Sequence, residues 1–117
     1  MIIMKNIVLI GMPAVGKSTI GVLLAKSLGF SFIDTDLIIH QQTGRLLQEI
    51  IDNDGLDAFC EAEERAICSV EAERGAVIAT GGSAVYSRRA MLHLKEHGVA
   101  YYLSLPTEEI CGRHRKF

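Results

Sequence analysis

Gly11-Met12-Pro13-Ala14-Val15-Gly16-Lys17-Ser18 sets two glycines, a lysine and a hydroxyl in the pattern G-x-x-x-x-G-K-[ST]. Each position has a chemical reason. Glycines let the backbone turn tightly, so that successive N–H groups point inward at phosphate oxygens. The helix that follows adds the positive end of its dipole. Lys17 is placed to set a cation between the β- and γ-phosphates, and the Ser18 hydroxyl to ligate Mg²⁺. With Thr19 next in line, residues Gly11 to Thr19 form a candidate P-loop for ATP or a close relative. The competing reading, a glycine-rich strand-to-helix turn with an incidental lysine, requires no such neighbourhood. Gly-Lys-Ser between an apolar strand and an amphipathic helix is the context the phosphate site demands.

Two further segments carry polar groups that suit the same chemistry: Asp34-Thr35-Asp36 and Thr80-Gly81-Gly82-Ser83. Phosphoryl transfer is mostly positioning and charge neutralisation. A carboxylate near Mg²⁺ and another near the nucleophile are the expected parts. The plainer role for Asp34 and Asp36 is turn chemistry at a strand end.

The elements that must position these residues alternate. Asn6 to Ile10 is a short apolar run, read as a strand buried on both faces. Lys17 to Leu28 has apolar residues at helical spacing, Ile20, Leu23, Leu24 and Leu28, with Gly29 as the stop signal. Phe30 to Ile33 reads as a second strand. Leu37 to Asp54 reads as helix broken at Thr43-Gly44, and Gly55 to Arg74 as one long helix with Leu56, Phe59, Cys60, Ile67 and Val70 on its inner stripe. Ala76 to Ala79 is a third strand, Ser87 to His97 a helix, Val99 to Leu103 a fourth strand, and Thr107 a candidate cap for a last helix. Such alternation implies an α/β fold with a parallel sheet. Ligands then sit at the carboxyl ends of the strands, where all three polar segments fall.

Composition narrows the function. The chain has 117 residues, enough for one small domain. A formal charge of -2 and no basic stripe argue against nucleic acid as a partner. Cys60, Cys68 and Cys111 are odd in number and lack metal spacing, against a disulfide framework or zinc site. No apolar run approaches the ~20 residues of a membrane span. The opening residues carry no small-residue cleavage site. A cytoplasmic protein is expected, without membrane partners.

Past the P-loop, the chain resembles the shikimate kinase family. It carries Gly16-Lys17-Ser18-Thr19-Ile20-Gly21, Leu24-Ala25-Lys26, Leu28-Gly29, Phe32-Ile33-Asp34-Thr35-Asp36, Thr43-Gly44-Arg45 and Thr80-Gly81-Gly82-Ser83-Ala84-Val85 at family spacing. The resemblance implies the three-layer fold of the small P-loop kinases, with a central parallel sheet of strand order 2-3-1-4 and the fifth strand missing. It implies a single domain over 1–117 that lacks the lid and C-terminal elements. It implies ATP and Mg²⁺ as cofactors, and transfer of the γ-phosphoryl group to a hydroxyl of shikimate or a related metabolite. Carried over by position, Lys17 and Asp36 are catalytic. Asp34 helps Ser18 hold Mg²⁺. Asp36 binds the acceptor hydroxyls, and Gly81 and Gly82 line the acceptor site. The resemblance further implies a monomer; a missing edge strand would instead invite weak homo-oligomers.

The chain departs from that pattern at three places. Where the family has Phe-Arg-x-x-Glu, with the arginine on the shikimate carboxylate, this chain reads Phe59-Cys60-Glu61-Ala62-Glu63. Glu63 thus loses its usual cation and must find another, reach water or bind the ligand; a long charged side chain readily snorkels. Arg45 and Arg65 are candidates for a relocated charge, weighed against being solvated surface arginines. Ser83 stands where the family has a third glycine, narrowing the pocket and adding a hydroxyl. Cys60, Glu63 and Ser83 join Asp36, Gly81 and Gly82 as the substrate-binding candidates. Finally, the family's lid arginines and adenine loop have no counterpart here. That motivates an alternative reading, a non-catalytic or inactive truncated P-loop nucleotide-binding module. A GTPase is disfavoured by the lack of an Asn-Lys-x-Asp run.

Overall fold

The computed structural model describes residues 5–11, 17–71 and 75–103, with nothing drawn from the side chains of Lys17, Ser18 and Leu103. β1 is Asn6–Gly11, followed by α1, Lys17–Leu28. β2, Ser31–Asp34, runs directly into α2, Thr35–Thr43, and then α3, Leu47–Asp54, and α4, Leu56–Cys68. β3 is Ala76–Ala79; a short 3₁₀ turn at Ala84–Tyr86 precedes α5, Arg88–Glu96, and β4, Gly98–Leu103.

Among the described residues the four strands are all parallel, in the order β2-β3-β1-β4. This is the order the resemblance implied. Val8 and Ile10 point to one face of the sheet and pack with Ile67, Ile78, Ala90 and Leu94 from α4, β3 and α5. Leu9 and Val77 point to the other and pack against Ala25 of α1. The period-2 alternation of the strands thus feeds two cores, one on each side. A third cluster, Ile39, Ile50, Ala62 and Ala66, joins α2, α3 and α4.

Four expectations need correction. In α1 the inward residues are Gly21 and Ala25, while Ile20, Leu23 and Leu28 are exposed. The Phe32 ring occupies the space a Cβ at Gly21 would need, so the helix approaches the sheet through its small residues. In α4 the buried face is Ala62, Glu63, Ala66 and Ile67, whereas Leu56 is 62% exposed. This helix also ends at Cys68 rather than at Arg74. Ser69 caps it, its N–H donating to Arg65 O at 3.1 Å and its hydroxyl to Ala66 O at 2.6 Å. Residues 72–74 lie outside the described residues.

The third correction places α2 two residues earlier than expected, because Asp34 acts as its N-cap and accepts the Asp36 N–H at 2.9 Å. The break at Gly44 falls where expected: its φ of 69° is left-handed, and its N–H closes the helix on His40 O at 2.8 Å. The fourth is small. β2 starts at Ser31, since the Phe30 N–H is still bonded to Ala25 O of α1 at 2.9 Å. The candidate cap at Thr107 lies outside the described residues.

Candidate functional site

Three strand ends meet at the carboxyl edge of the sheet, and threonines hold them together. Thr35, fully buried at the start of α2, donates its hydroxyl to Ala79 O at the end of β3, 3.3 Å away. Thr80 donates both its N–H and its hydroxyl to Leu9 O of β1, at 3.1 and 3.2 Å. The ends of β2, β3 and β1 are thereby fixed relative to one another. Neither threonine was marked as a positioning residue by sequence. Threonine directly after an aspartate or a strand was the available signal.

Beside these ends opens a cavity of about 650 Å³. That is within the range of small-molecule sites, roughly 300–1,000 Å³. Thr19 from the first turn of α1 reaches it, as do Asp34, Asp36, Cys60, Gly81, Gly82 and Ser83. The structure therefore brings together seven of the residues singled out by sequence. Gly11 ends β1, buried, with a φ of 147° that favours glycine where the chain leaves the strand. Lys17 and Ser18 open α1, and Met12, Pro13, Ala14, Val15 and Gly16 lie outside the described residues. The apolar wall of the cavity, Leu47, Ile51, Leu56 and Phe59, was missed as a site. Leu56 and Phe59 read as core because helical periodicity does not tell a core from a pocket. A smaller cavity, about 340 Å³, lies at the amino end of β1 beside Asn6 and His97, away from these strand ends.

Glu63 does not reach solvent. It is 1% exposed and sits behind the cavity wall, where Ser83 Oγ donates a hydrogen bond to its Oε1. Its Oε2 is buried with no hydrogen-bond partner among the described residues. Burial pushes this carboxyl above the ordinary glutamate range, and the Asp36 charge adds to the rise. The Ser83 hydroxyl and the N–H groups of Gly81 and Ser83 pull it back. Of the alternatives open to Glu63, carrying the charge to water is not the one taken, because α4 packs this face against the sheet end. Gly81 allows that packing: a Cβ there would collide with Glu63 Oε2.

The two arginines considered for a relocated charge lie elsewhere. Arg45 pairs with Asp54, its NH1 donating to Oδ2 at 2.6 Å, and its NH2 donates to Glu49 O at 3.2 Å. Arg65 lines a separate cleft with Cys68 and Arg89.

The family model for shikimate kinase matches residues 13–116. The chain belongs to the shikimate kinase family. The shikimate kinase of Gloeobacter violaceus is 40% identical over 108 residues, which cover 92% of this chain and 60% of that relative. A shikimate kinase of Clostridium botulinum is 41% identical over 110 residues, covering 94% and 65%. Among solved structures, the shikimate kinase of Acinetobacter baumannii in complex with shikimate superposes with a TM-score of 0.81 at 33% identity, over 90% of this chain and 59% of that one. The enzyme from Aquifex aeolicus gives 0.78 at 31% identity, over 90% and 62%. The chain thus spans 60% and 65% of the length of these two curated relatives. Among the described residues, no helix is long and apolar enough to cross a membrane.

Proposed function

We propose that this chain is an ATP-dependent kinase that transfers the γ-phosphoryl group to a hydroxyl of shikimate or a related metabolite. The observation that carries this reading is the convergence of Thr19, Asp34, Asp36 and the Gly81–Ser83 turn on one cavity at the carboxyl edge of a parallel sheet. The unit is taken as one P-loop kinase-like domain over 1–117, a monomer or weak homo-oligomer, working on small molecules in the cytoplasm.

The residues suit a magnesium nucleotide. The first turn of α1 contains no acidic side chain to repel phosphate. Asp34 accepts the Asp36 N–H through one oxygen, and a carboxylate has capacity for several partners. Gly11 to Thr19 would cradle the triphosphate, with Lys17 against its oxygens and Ser18 and Asp34 holding Mg²⁺. Bound magnesium neutralises phosphate charge. Asp36, on the first turn of α2 and lining the cavity, takes the proton of the acceptor hydroxyl as that oxygen bonds to the γ-phosphorus and ADP departs. Gly81 and Gly82 bring backbone against the acceptor, while Cys60, Glu63 and Ser83 shape the wall behind it.

Phosphorus NMR of the full chain with ATP, Mg²⁺ and shikimate tests the proposal. A phosphate monoester should grow as ATP is consumed, and Asp36→Asn should slow it by about 10²–10⁴. Nucleotide binding without transfer would return the chain to the non-catalytic module. Inorganic phosphate as the sole product would exclude shikimate as the acceptor.

A further inference from the structure

Between the two carboxylates of the site stands a side chain that turns away from it. Asp34 and Asp36 line the cavity, whereas Thr35 is fully buried. The β2–β3 ladder ends with Asp34 opposite Ala79. Thr35 is the first residue of α2, and its hydroxyl crosses to β3, donating to the Ala79 carbonyl at 3.3 Å. Ala79 directly precedes Thr80-Gly81-Gly82, so this bond joins the carboxylate turn to the acceptor turn.

The Ala79 carbonyl is a firm post. β3 lies between β2 and β1, and Ala79 is buried opposite Leu9 of β1. Thr80 then donates its N–H and its hydroxyl to Leu9 O, at 3.1 and 3.2 Å. Leu9 stands two residues before Gly11, where the candidate P-loop begins. Asp36 is thus referenced, through Thr35 and Ala79, to the strand that leads into the phosphate cradle.

The first turn of a helix needs such a hold, because its leading N–H groups have no partner within the helix. The Asp34 cap on the Asp36 N–H, at 2.9 Å, is local and ties the turn only to itself. The Thr35 bond spans 44 residues and ties the turn to the sheet. A β-branched side chain has few rotamers in a helix, which restricts the directions open to its hydroxyl. Successive helical residues stand about 100° apart around the axis, so holding Thr35 inward holds Asp36 toward the cavity.

We propose that Thr35 is a positioning residue for phosphoryl transfer: its hydroxyl, bonded to Ala79 O, sets the direction of the Asp36 carboxylate against an acceptor held at Gly81 and Gly82. This inference rests on the kinase reading above and adds a residue that acts through Asp36.

A double-mutant cycle on the full chain tests it, with saturating ATP, Mg²⁺ and shikimate and the phosphate monoester followed by phosphorus NMR. Thr35→Val keeps the branched shape and removes the hydroxyl. It should lower kcat by about 10- to 100-fold, the order expected when a reacting group is misplaced by about 1 Å. Affinity for a non-hydrolysable ATP analogue, read by calorimetry, should be unchanged, and Thr35→Ser should restore most of the rate. Because the hydroxyl acts through Asp36, Thr35→Val combined with Asp36→Asn should be no slower than Asp36→Asn alone. Full kcat in a folded Thr35→Val protein would overturn the inference. So would losses that multiply in the double variant, or nucleotide affinity that falls in step with the rate, since the hydroxyl would then only support the fold. Absence of transfer by the unmodified chain removes the kinase reading and the inference with it; a transferring chain indifferent to Thr35 removes the inference alone. Should Thr35→Val fail to fold, Thr35→Ser and Thr35→Ala, which differ only in the hydroxyl, make the same comparison.

Discussion

At Glu63 two demands fall on one side chain. Its position on α4 buries it, and its charge calls for water or a cation. The structure meets neither demand fully, and the carboxyl responds by holding its proton to higher pH than the 4.5 of an ordinary glutamate. The consequence for stability has a definite sign. Above 4.5 the unfolded chain has lost this proton while the folded chain retains it. Stability therefore falls as pH rises through the window up to the raised native value. Glu63→Gln has no proton to lose. Its unfolding midpoint in urea, followed from pH 4 to pH 8, should gain on the unmodified chain as pH rises; parallel curves would show that Glu63 is solvated. Ser83→Ala removes the hydroxyl's hydrogen bond to Oε1 and should lower stability by about 1–3 kcal/mol at pH 5, the cost of a less satisfied buried group. No loss would mean that the pair is not formed. Cys60 and Ser83 were singled out in the sequence as departures from the pattern the resemblance implied. That the Ser83 hydroxyl turns to Glu63 was not visible there, because the two residues are twenty apart and only the fold brings them together.

At the level of elements, the sequence was most legible where one physical rule dominates. The buried strands of a parallel sheet show as unbroken apolar runs, and Asn6 to Ile10 and Ala76 to Ala79 fell where expected. Gly44 marked the end of α2 because a left-handed residue is needed there. The helical faces were less legible. Periodicity gave α4 a stripe of large residues, yet the helix packs through Ala62 and Ala66 and turns Leu56 and Phe59 toward the cavity. Small residues carry little hydrophobic signal but permit close approach, so the packing face was underweighted. The corrected register makes a sharp prediction. Ile67→Ala should cost about 2–5 kcal/mol, because Ile67 is fully buried. Leu56→Ala should stay within about 0.5 kcal/mol, as expected of an exposed position. Equal losses in chemical denaturation would restore the original stripe.

For the whole molecule, the parallel sheet explains why residues scattered from Gly11 to Ser83 converge. The described strands all point the same way, so their carboxyl ends share one edge, and the threonine ties keep the ends of β1, β2 and β3 in register. The α/β class and the ligand edge were legible because they follow from alternation alone. The acceptor wall was not, since it is assembled from α3, α4 and the turn after β3 by tertiary packing. In the proposed function this edge binds a magnesium nucleotide through the Gly11–Ser18 segment, with Lys17 as its cation. Titration of the unmodified chain and of Lys17→Ala with an ATP analogue, with and without Mg²⁺, tests it most directly. The unmodified chain should bind in a Mg²⁺-dependent manner, and Lys17→Ala should lose about 1.5–3 kcal/mol, or roughly 10- to 150-fold in affinity. Equal affinity in a folded Lys17→Ala protein would contradict the account.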